Sequence, residues 1–127
     1  VEPVSAEASG KTGESYGASN AFDSDFGTLW SDDREDVPAW IIADFGQERE
    51  FRSCEIFFDL IDGDYEYILE YSIDGEEWNF HTHANNADAE VWPIEHTLDL
   101  AARYFRITIL DQSMEPNRVG IWEARFF

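Results

Sequence analysis

Short apolar runs separated by turn-forming residues constrain the fold of this chain more than any other feature of its sequence. Alternating or continuously apolar runs of about four to eight residues recur, with clusters of Gly, Asp, Asn and Pro between them. Helical periodicity is weak throughout. The pattern predicts strands at residues 39–45, 52–60, 66–72, 78–83, 91–98, 104–110 and 119–127. Seven or eight short strands in a chain of 127 residues favour an all-β fold, an antiparallel β-sandwich.

Two turns are specified by their residue types. Asp74-Gly75 is a pair that tolerates positive φ in a tight hairpin, and Asp62-Gly63-Asp64 is another. Residues 10–28 are rich in Gly, Ser, Asn and Asp, which predicts a loop wrapped on the sandwich. Because no internal repeat or linker is recognisable, residues 1–127 are interpreted as a single domain.

The charge balance narrows the possible partners. Asp and Glu number 28 against eight Lys and Arg, the net charge is −20, and Lys11 is the only lysine. Phosphate binding requires clustered Lys and Arg, so nucleic acid is a poor partner, and a lipid surface with anionic headgroups is disfavoured for the same reason. An acidic surface favours solubility in salty surroundings, and an acidic lineage bias without functional meaning is the alternative.

The single cysteine and the termini give few further constraints. Cys54 lies in a strand-like apolar run and is interpreted as a small buried hydrophobe. No apolar run approaches the roughly 18 residues that a membrane helix needs, and no segment has the pattern of a signal peptide. The chain is therefore expected to be soluble and to be a piece of a longer secreted protein.

Four motifs occur in a fixed order along almost the whole chain. They are residues 20–25 (Asn-Ala-Phe-Asp-Ser-Asp) with 28–30 (Thr-Leu-Trp), 40–46 (Trp-Ile-Ile-Ala-Asp-Phe-Gly), 67–78 (Tyr-Ile-Leu-Glu-Tyr-Ser-Ile-Asp-Gly-Glu-Glu-Trp) and 102–107 (Ala-Arg-Tyr-Phe-Arg-Ile). In these motifs the chain resembles discoidin domains, also called coagulation factor V/VIII C-type domains. Residues 65–67 and 121–123 are most similar to carbohydrate-binding modules of family 32 and their relatives, which are attached to bacterial glycoside hydrolases.

This resemblance implies a discoidin-like jelly roll, similar to galactose-binding domains, with a ligand site in loops at one end. It implies a monomeric, non-catalytic module that binds a polysaccharide or oligosaccharide and targets a covalently linked catalytic domain to it, outside the cell or at its surface. A structural spacer or adhesion domain of the same fold, without sugar binding, is the alternative. Fold-level analogy alone constrains function only weakly.

A calcium site is the chemical feature with the best support. Residues 20–28 concentrate side-chain and backbone oxygens, and Ca²⁺ takes about six to eight oxygen ligands. The family pattern assigns a carboxylate to Asp23 and to Glu123, the hydroxyl and carbonyl to Thr28, and backbone carbonyls to Asn20 and Asp25. Such an ion would have a structural role. The alternative is a turn rich in Asp and Asn that holds no metal, and the acidic residues at 32, 33, 35 and 36 are interpreted as a solvated loop.

Sugar recognition needs an aromatic face and planar polar groups. Trp30, Trp40 and Trp78 occupy landmark positions of the family and are expected in the core, with Trp122 packed beside the calcium ligand. Trp92 lies in a stretch that is less similar to the family and is the predicted stacking platform. The other candidate ligand-binding residues are Arg34, Asp62, Asp64, Tyr65, Asn117 and Arg118.

No catalytic constellation is identifiable in the sequence. His81 and His83 are expected on one face of a strand and His96 elsewhere, as surface histidines, with two zinc ligands as the alternative. Residues 59–65 have no His or Arg, in contrast to the galactose-binding members of the family. The acidic loops instead favour neutral or cationic glycans, such as an amino-sugar polymer.

Overall fold

The computed structural model describes residues 2–9, 17–25, 27–32, 39–58, 65–85, 94–112 and 119–127. Within them lie β1 (Ser5–Ala8), a 3-10 helix (Ala18–Phe22), β2 (Trp30–Asp32), β3 (Ala39–Phe58), β4 (Tyr65–Ser72), β5 (Asn79–Asn85), β6 (Ile94–Gln112) and β7 (Val119–Phe126). No helix in this part of the chain has the length and apolar character needed to cross a membrane.

The strands β3 and β6 are long enough to take part in both layers of a sandwich. The first part of β3 pairs with β1 and with the last part of β6, whereas its second part pairs with β7 and with the first part of β6. One layer therefore has the order β1-β3-β6-β4-β5 and the other the order β2-β7-β3-β6, and every pairing is antiparallel. The predicted antiparallel β-sandwich is confirmed.

The predicted strand breaks inside β3 and β6 are wrong. Residues 39–45 and 52–58 belong to one strand, and residues 94–98 and 104–110 belong to another. The ladder changes register between Asp44 and Arg49, where Gly46 has a φ of 83°, and Asp99 on β6 has a φ of 48°. The turn-forming residues at these points therefore bend two continuous strands from one layer into the other.

The core is densest where these strands bend. The ring centroid of Phe51 lies 4.9 Å from that of Phe45 and 4.9 Å from that of Phe105. The Phe105 ring stacks on the Phe126 ring, with their centroids 4.3 Å apart. All four rings are buried. Cys54 has no exposed surface, which confirms its predicted role as a buried hydrophobe, and burial raises the pKa of its thiol to about 12.

The hairpin between β4 and β5 confirms the turn predicted at Asp74-Gly75. The Asp74 carboxylate accepts hydrogen bonds of 2.9 Å from the backbone N–H groups of Glu76 and Glu77, which lowers its pKa. Gly75 has a φ of 77°, and a Cβ atom there would lie 3.2 Å from the Tyr104 ring. Any larger residue at position 75 would therefore strain the turn.

The burial of the tryptophans agrees only in part with the prediction from the sequence. Trp30 has no exposed surface, which confirms it as a core residue. Trp40 and Trp78 are only partly buried, so the prediction that both are core residues is wrong, while Trp122 is packed but also partly buried. Trp40 lies between the buried residues Ala39 and Ile41, and alternation along β3 therefore turns its side chain to the outer face.

The excess of negative charge should make the stability of this domain depend on salt. A net charge of −20 causes self-repulsion that counterions screen, so the free energy of unfolding is expected to increase from dilute buffer to molar NaCl. Urea unfolding at a series of NaCl concentrations measures the effect. A constant or falling stability over this range would show that the charge is no net burden on the fold.

Candidate functional site

One end of the sandwich brings together eight strand ends. The pairs Asp32↔Val119 and Ile56↔Ile94 place four strands at this end in one layer. The pairs Ala39↔Ile109, Tyr65↔Gln112 and Glu66↔Asn85 place the strands of the other layer there. Segments 33–38, 59–64, 86–93 and 113–118 are the connections between these ends, and the term loop end is used below for this end of the sandwich.

Of the predicted ligand-binding residues, the structure describes only the backbone of Tyr65. Tyr65 is the first residue of β4, and its backbone pairs with Gln112, while its side chain lies outside the described part of the structure. The other six predicted ligand-binding residues lie outside the described residues: Arg34, Asp62, Asp64, Trp92, Asn117 and Arg118. Their role in binding stays a prediction. The acidic residues at 33, 35 and 36, interpreted above as a solvated loop, also lie outside the described residues, whereas Asp32 is the last residue of β2.

The loop predicted to bind calcium is closed by hydrogen bonds around Asp23. The two carboxylate oxygens of Asp23 accept hydrogen bonds, one from the Asp25 backbone N–H at 3.0 Å and the other from the Thr28 hydroxyl at 2.5 Å. The Thr28 hydroxyl oxygen also lies 3.1 Å from the Asp25 carbonyl oxygen. The Asn20 side chain donates a 3.1 Å bond to the Leu29 carbonyl, which holds the start of the loop against its end.

Glu123, a residue of β7, connects this strand to the loop by a hydrogen bond. Its carboxylate accepts a 2.9 Å hydrogen bond from the backbone N–H of Ser24, a residue with a φ of 59°. Only 1% of Glu123 is exposed, and its carboxylate lies 3.8 Å from the Arg125 guanidinium. Loss of hydration and the nearby Asp23 carboxylate together raise the pKa of Glu123 to about 7.

These contacts bring Asp23, Thr28 and Glu123 together as the sequence predicted. The described residues contain no group of three or more His, Cys, Asp and Glu side chains suited to a metal ion. A cation here would therefore need hydroxyl and backbone carbonyl oxygens besides the carboxylates. The donor set fits a hard cation such as Ca²⁺, because every candidate ligand atom is an oxygen.

One contact at this loop was not apparent from the sequence. The Ser24 hydroxyl donates a 3.1 Å hydrogen bond to the Glu2 carboxylate, which links the N-terminal segment to the loop. The two residues are separated by 22 positions, and no motif connects them. In the structure, Ser24 also has a left-handed backbone, with a φ of 59°.

The histidines are arranged differently from the prediction. His81 does not share a site with His83: its ring lies 6.4 Å from that of His96, whereas His83 bonds to Glu66 at 2.7 Å. A β-bulge between β4 and β5, at Leu69 and Glu70, breaks the alternation that the sequence argument assumed. His83 is exposed as predicted, but His96 is half-buried. The alternative of a zinc pair at His81 and His83 therefore has no support in this geometry.

Two arginines on the outer face of the larger layer are held by carboxylates. Arg103 bonds to Asp44 at 2.9 and 3.2 Å, which lowers the pKa of Asp44. Arg106 bonds to Glu70 at 2.8 and 3.0 Å, and its guanidinium lies 4.2 Å from the centre of the Trp78 ring. Both arginines are therefore held on the sheet face by ion pairs, and Arg106 also stacks on Trp78.

The fold and the loop end define a class of protein: a small two-layer antiparallel sandwich with eight strand ends at one end. The model of the F5/8 type C domain family matches residues 5–124. The chain belongs to this family. A comparison with curated proteins found no match.

Solved structures with the same fold include carbohydrate-binding modules. Chitosan-binding module 1 of a chitosanase/glucanase from Paenibacillus sp. IK-5 superposes with a TM-score of 0.83 at 22% identity, over 99% of this chain and 96% of the module. A pectin-binding carbohydrate-binding module gives a TM-score of 0.85 at 19% identity, over 98% and 90%. A family 89 glycoside hydrolase from Clostridium perfringens gives 0.83 at 32% identity, over 99% of this chain and 14% of the enzyme.

Proposed function

We propose that this domain is a non-catalytic carbohydrate-binding module with its ligand site at the loop end. The observation that carries the proposal is membership of the F5/8 type C family over residues 5–124, in a fold shared with modules that bind chitosan and pectin. The convergence of eight strand ends supports the location, because four connecting segments start and finish there. A site formed by several loops on a rigid scaffold is a common arrangement for ligand binding.

A neutral or cationic glycan is the favoured ligand class. The net charge of −20 repels polyanions and attracts a protonated amino-sugar polymer. Arg103 and Arg106 are committed to Asp44 and Glu70, so neither offers an unpaired cation to a uronic acid. One module with this fold is a chitosan-binding module, which supports the same class.

The glycan-binding module is expected to act as part of a larger secreted enzyme. The similar region of the family 89 glycoside hydrolase is 14% of that enzyme, which supports attachment of this chain to a catalytic domain. Binding would then hold the catalytic domain close to its polysaccharide. A spacer or adhesion domain is the second candidate, and it is favoured by the absence of His and Arg from residues 59–65.

A structural Ca²⁺ is part of the proposal. Asp23 and Glu123 would supply carboxylates, Thr28 its hydroxyl and carbonyl, and Asn20 and Asp25 their backbone carbonyls. The ion would neutralise two neighbouring carboxylates, one of them almost fully buried. The ion would therefore balance the charge of these carboxylates and hold residues 20–28 against β7. It would take no part in a reaction.

Replacing Trp92 with alanine tests the ligand site. Titration of the domain with chitosan oligosaccharides should change its tryptophan fluorescence, and the Trp92→Ala variant should lose most of the binding. Loss of a stacking face typically costs on the order of 1–3 kcal/mol, which is about 10- to 100-fold in affinity. The melting temperature of the variant should change little. Phe80→Ala, which removes a ring that is 63% exposed on β5, is the matched control.

Two results would redirect the proposal. If Trp92→Ala unfolds the domain while the remaining folded molecules bind normally, Trp92 is a core residue and the site must be sought at Tyr65, Asn117 and Arg118. If no chitosan, galactan or pectin oligosaccharide binds at millimolar concentration, the spacer or adhesion function becomes the better explanation.

A further inference from the structure

Three aromatic side chains meet between the two layers near the loop end. Tyr67 on β4 has no exposed surface, and its hydroxyl lies 2.8 Å from Nε2 of His96 on the first part of β6. The His96 ring lies 5.9 Å from the Tyr67 ring and 6.4 Å from the ring of His81 on β5. Because β4 and β5 belong to one layer and the first part of β6 to the other, these contacts link the layers.

Tyr67 is able to act as the donor of its hydrogen bond with His96. Burial raises the pKa of the Tyr67 hydroxyl, so this group keeps its proton and can donate to Nε2 of a neutral imidazole. If His96 gains a proton, both atoms carry hydrogen. Tyr67 must then turn its hydroxyl away, and its proton loses the acceptor that it has at neutral pH.

Among the described residues, the groups that face His96 give its charged form no compensation. Cys54 on β3 is its direct ladder partner, Tyr67 faces it from β4, and His81 faces it from β5. His81 itself contacts the Thr82 hydroxyl. Burial and the neighbouring His81 lower the pKa of His96 below its ordinary value of 6.5.

The nearest charged side chains on these strands face other directions. Glu95 follows the alternation of β6 and lies on the opposite face from His96, where it is paired in the ladder with Glu55. Glu66 is an exposed partner of His83 on the far side of the other layer. In the described part of the chain neither His81 nor His96 has a carboxylate partner.

We propose that Tyr67, His81 and His96 form a pH-sensitive tie between the two layers, which holds at neutral pH and loosens when the His96 imidazole gains a proton. The folded state disfavours the charged form of His96, so it binds fewer protons than the unfolded state. This contribution to stability is complete above a pH of about 6.5 and is lost as the pH falls below it.

The position of the tie connects it to the loop end. His96 is two residues beyond Ile94, where β6 begins, and His81 is four residues before Asn85, where β5 ends. Both strand ends belong to the candidate site, so the inference extends the proposed function: carbohydrate binding should weaken at mildly acidic pH. This extension rests on the proposed function, whereas the tie itself does not.

Thermal unfolding of His96→Gln between pH 7.5 and 5 tests the tie. The glutamine oxygen can accept the bond from Tyr67 and cannot be protonated in this range. Relative to this variant, the melting temperature of the unmodified domain should fall by at least about 3 °C on acidification, since 1 kcal/mol corresponds to about 3–5 °C in a domain of this size. His83→Gln is the matched control and should keep the acid loss, because His83 is exposed and paired with Glu66.

An NMR titration of the histidines provides an independent readout in the unmodified domain. The pKa of the His96 imidazole should lie below its ordinary value of 6.5. Titration of His96 at or above 6.5, or melting curves of the domain and of His96→Gln that stay parallel across the range, would overturn the inference. If His96→Gln does not fold, the titration decides alone.

Binding of the same chitosan oligosaccharide at pH 7.5 and 5 tests the extension. The affinity of the unmodified domain should fall more than that of His96→Gln, and the probe's own protonation cancels in this comparison. An equal loss in both proteins would contradict the effect on binding. Absence of binding of chitosan, galactan and pectin oligosaccharides at every pH would instead reject the proposed function, while melting and NMR still decide on the tie.

Discussion

Replacing Glu123 with glutamine is expected to lower the melting temperature by about 10 °C in excess calcium and to leave it unchanged, or raise it slightly, in excess chelator. An ion that binds only the folded state adds about 2.7 kcal/mol at 100 times its dissociation constant, and each kcal/mol corresponds to about 3–5 °C here. Without the ion, Glu123 is a carboxylate that is 1% exposed and close to Asp23, so a neutral side chain relieves repulsion. Melting curves of the variant and of the unmodified domain, recorded with calcium and with chelator, measure both effects.

Asp23→Ala should reproduce the effect of the chelator, because Asp23 is the other carboxylate of the proposed site. Glu76→Gln is the matched control: Glu76 is exposed in the hairpin, and its loss should not change the response to calcium. An unchanged melting curve in excess chelator, with no metal found by elemental analysis, would reject the site. Equal destabilisation by Glu123→Gln in both conditions would show that Glu123 is structural without an ion.

The sequence predicted where strands occur, but it did not predict that two pairs of them are continuous. Apolar alternation located residues 39–45 and 104–110 because one face of each is buried, and that is a local property. Gly46 and Asp99, both turn-forming residue types, lie in the gaps between the predicted strands. Whether such a residue ends a strand or bends it depends on the partner strand, and a ladder that resumes at Arg49↔Ala102 is visible only in three dimensions.

The two sites were predictable to different degrees. Asp23, Thr28 and Glu123 were found because a sequence motif of the family carries them, and the structure brings them together. The cluster of Tyr67, His81 and His96 could not be found in this way. A β-bulge of one residue moves His81 to the side of His96, and such an insertion leaves no signature in the alternation of a short polar strand.

The four phenylalanines at the bend are the part of the core that both layers share. Phe45 and Phe51 lie on β3 on either side of its change of register, Phe105 lies on β6, and Phe126 lies near the end of β7. Each of the four is at most 2% exposed, and their ring centroids are 4.3 to 6.2 Å apart. The cluster therefore packs residues of β3, β6 and β7 against one another where the strands bend.

Phe105→Ala is therefore expected to destabilise the domain by about 3–5 kcal/mol, the usual cost of removing a buried phenylalanine, since the cavity would lie between two continuous strands that cannot close independently. Phe80→Ala removes the same atoms from a side chain that is 63% exposed, and it should change the free energy of unfolding by less than about 0.5 kcal/mol. Urea unfolding of both variants measures the difference. If Phe105→Ala costs no more than Phe80→Ala, the rings do not hold the bend, and the two layers must be joined chiefly by the ladders of β3 and β6.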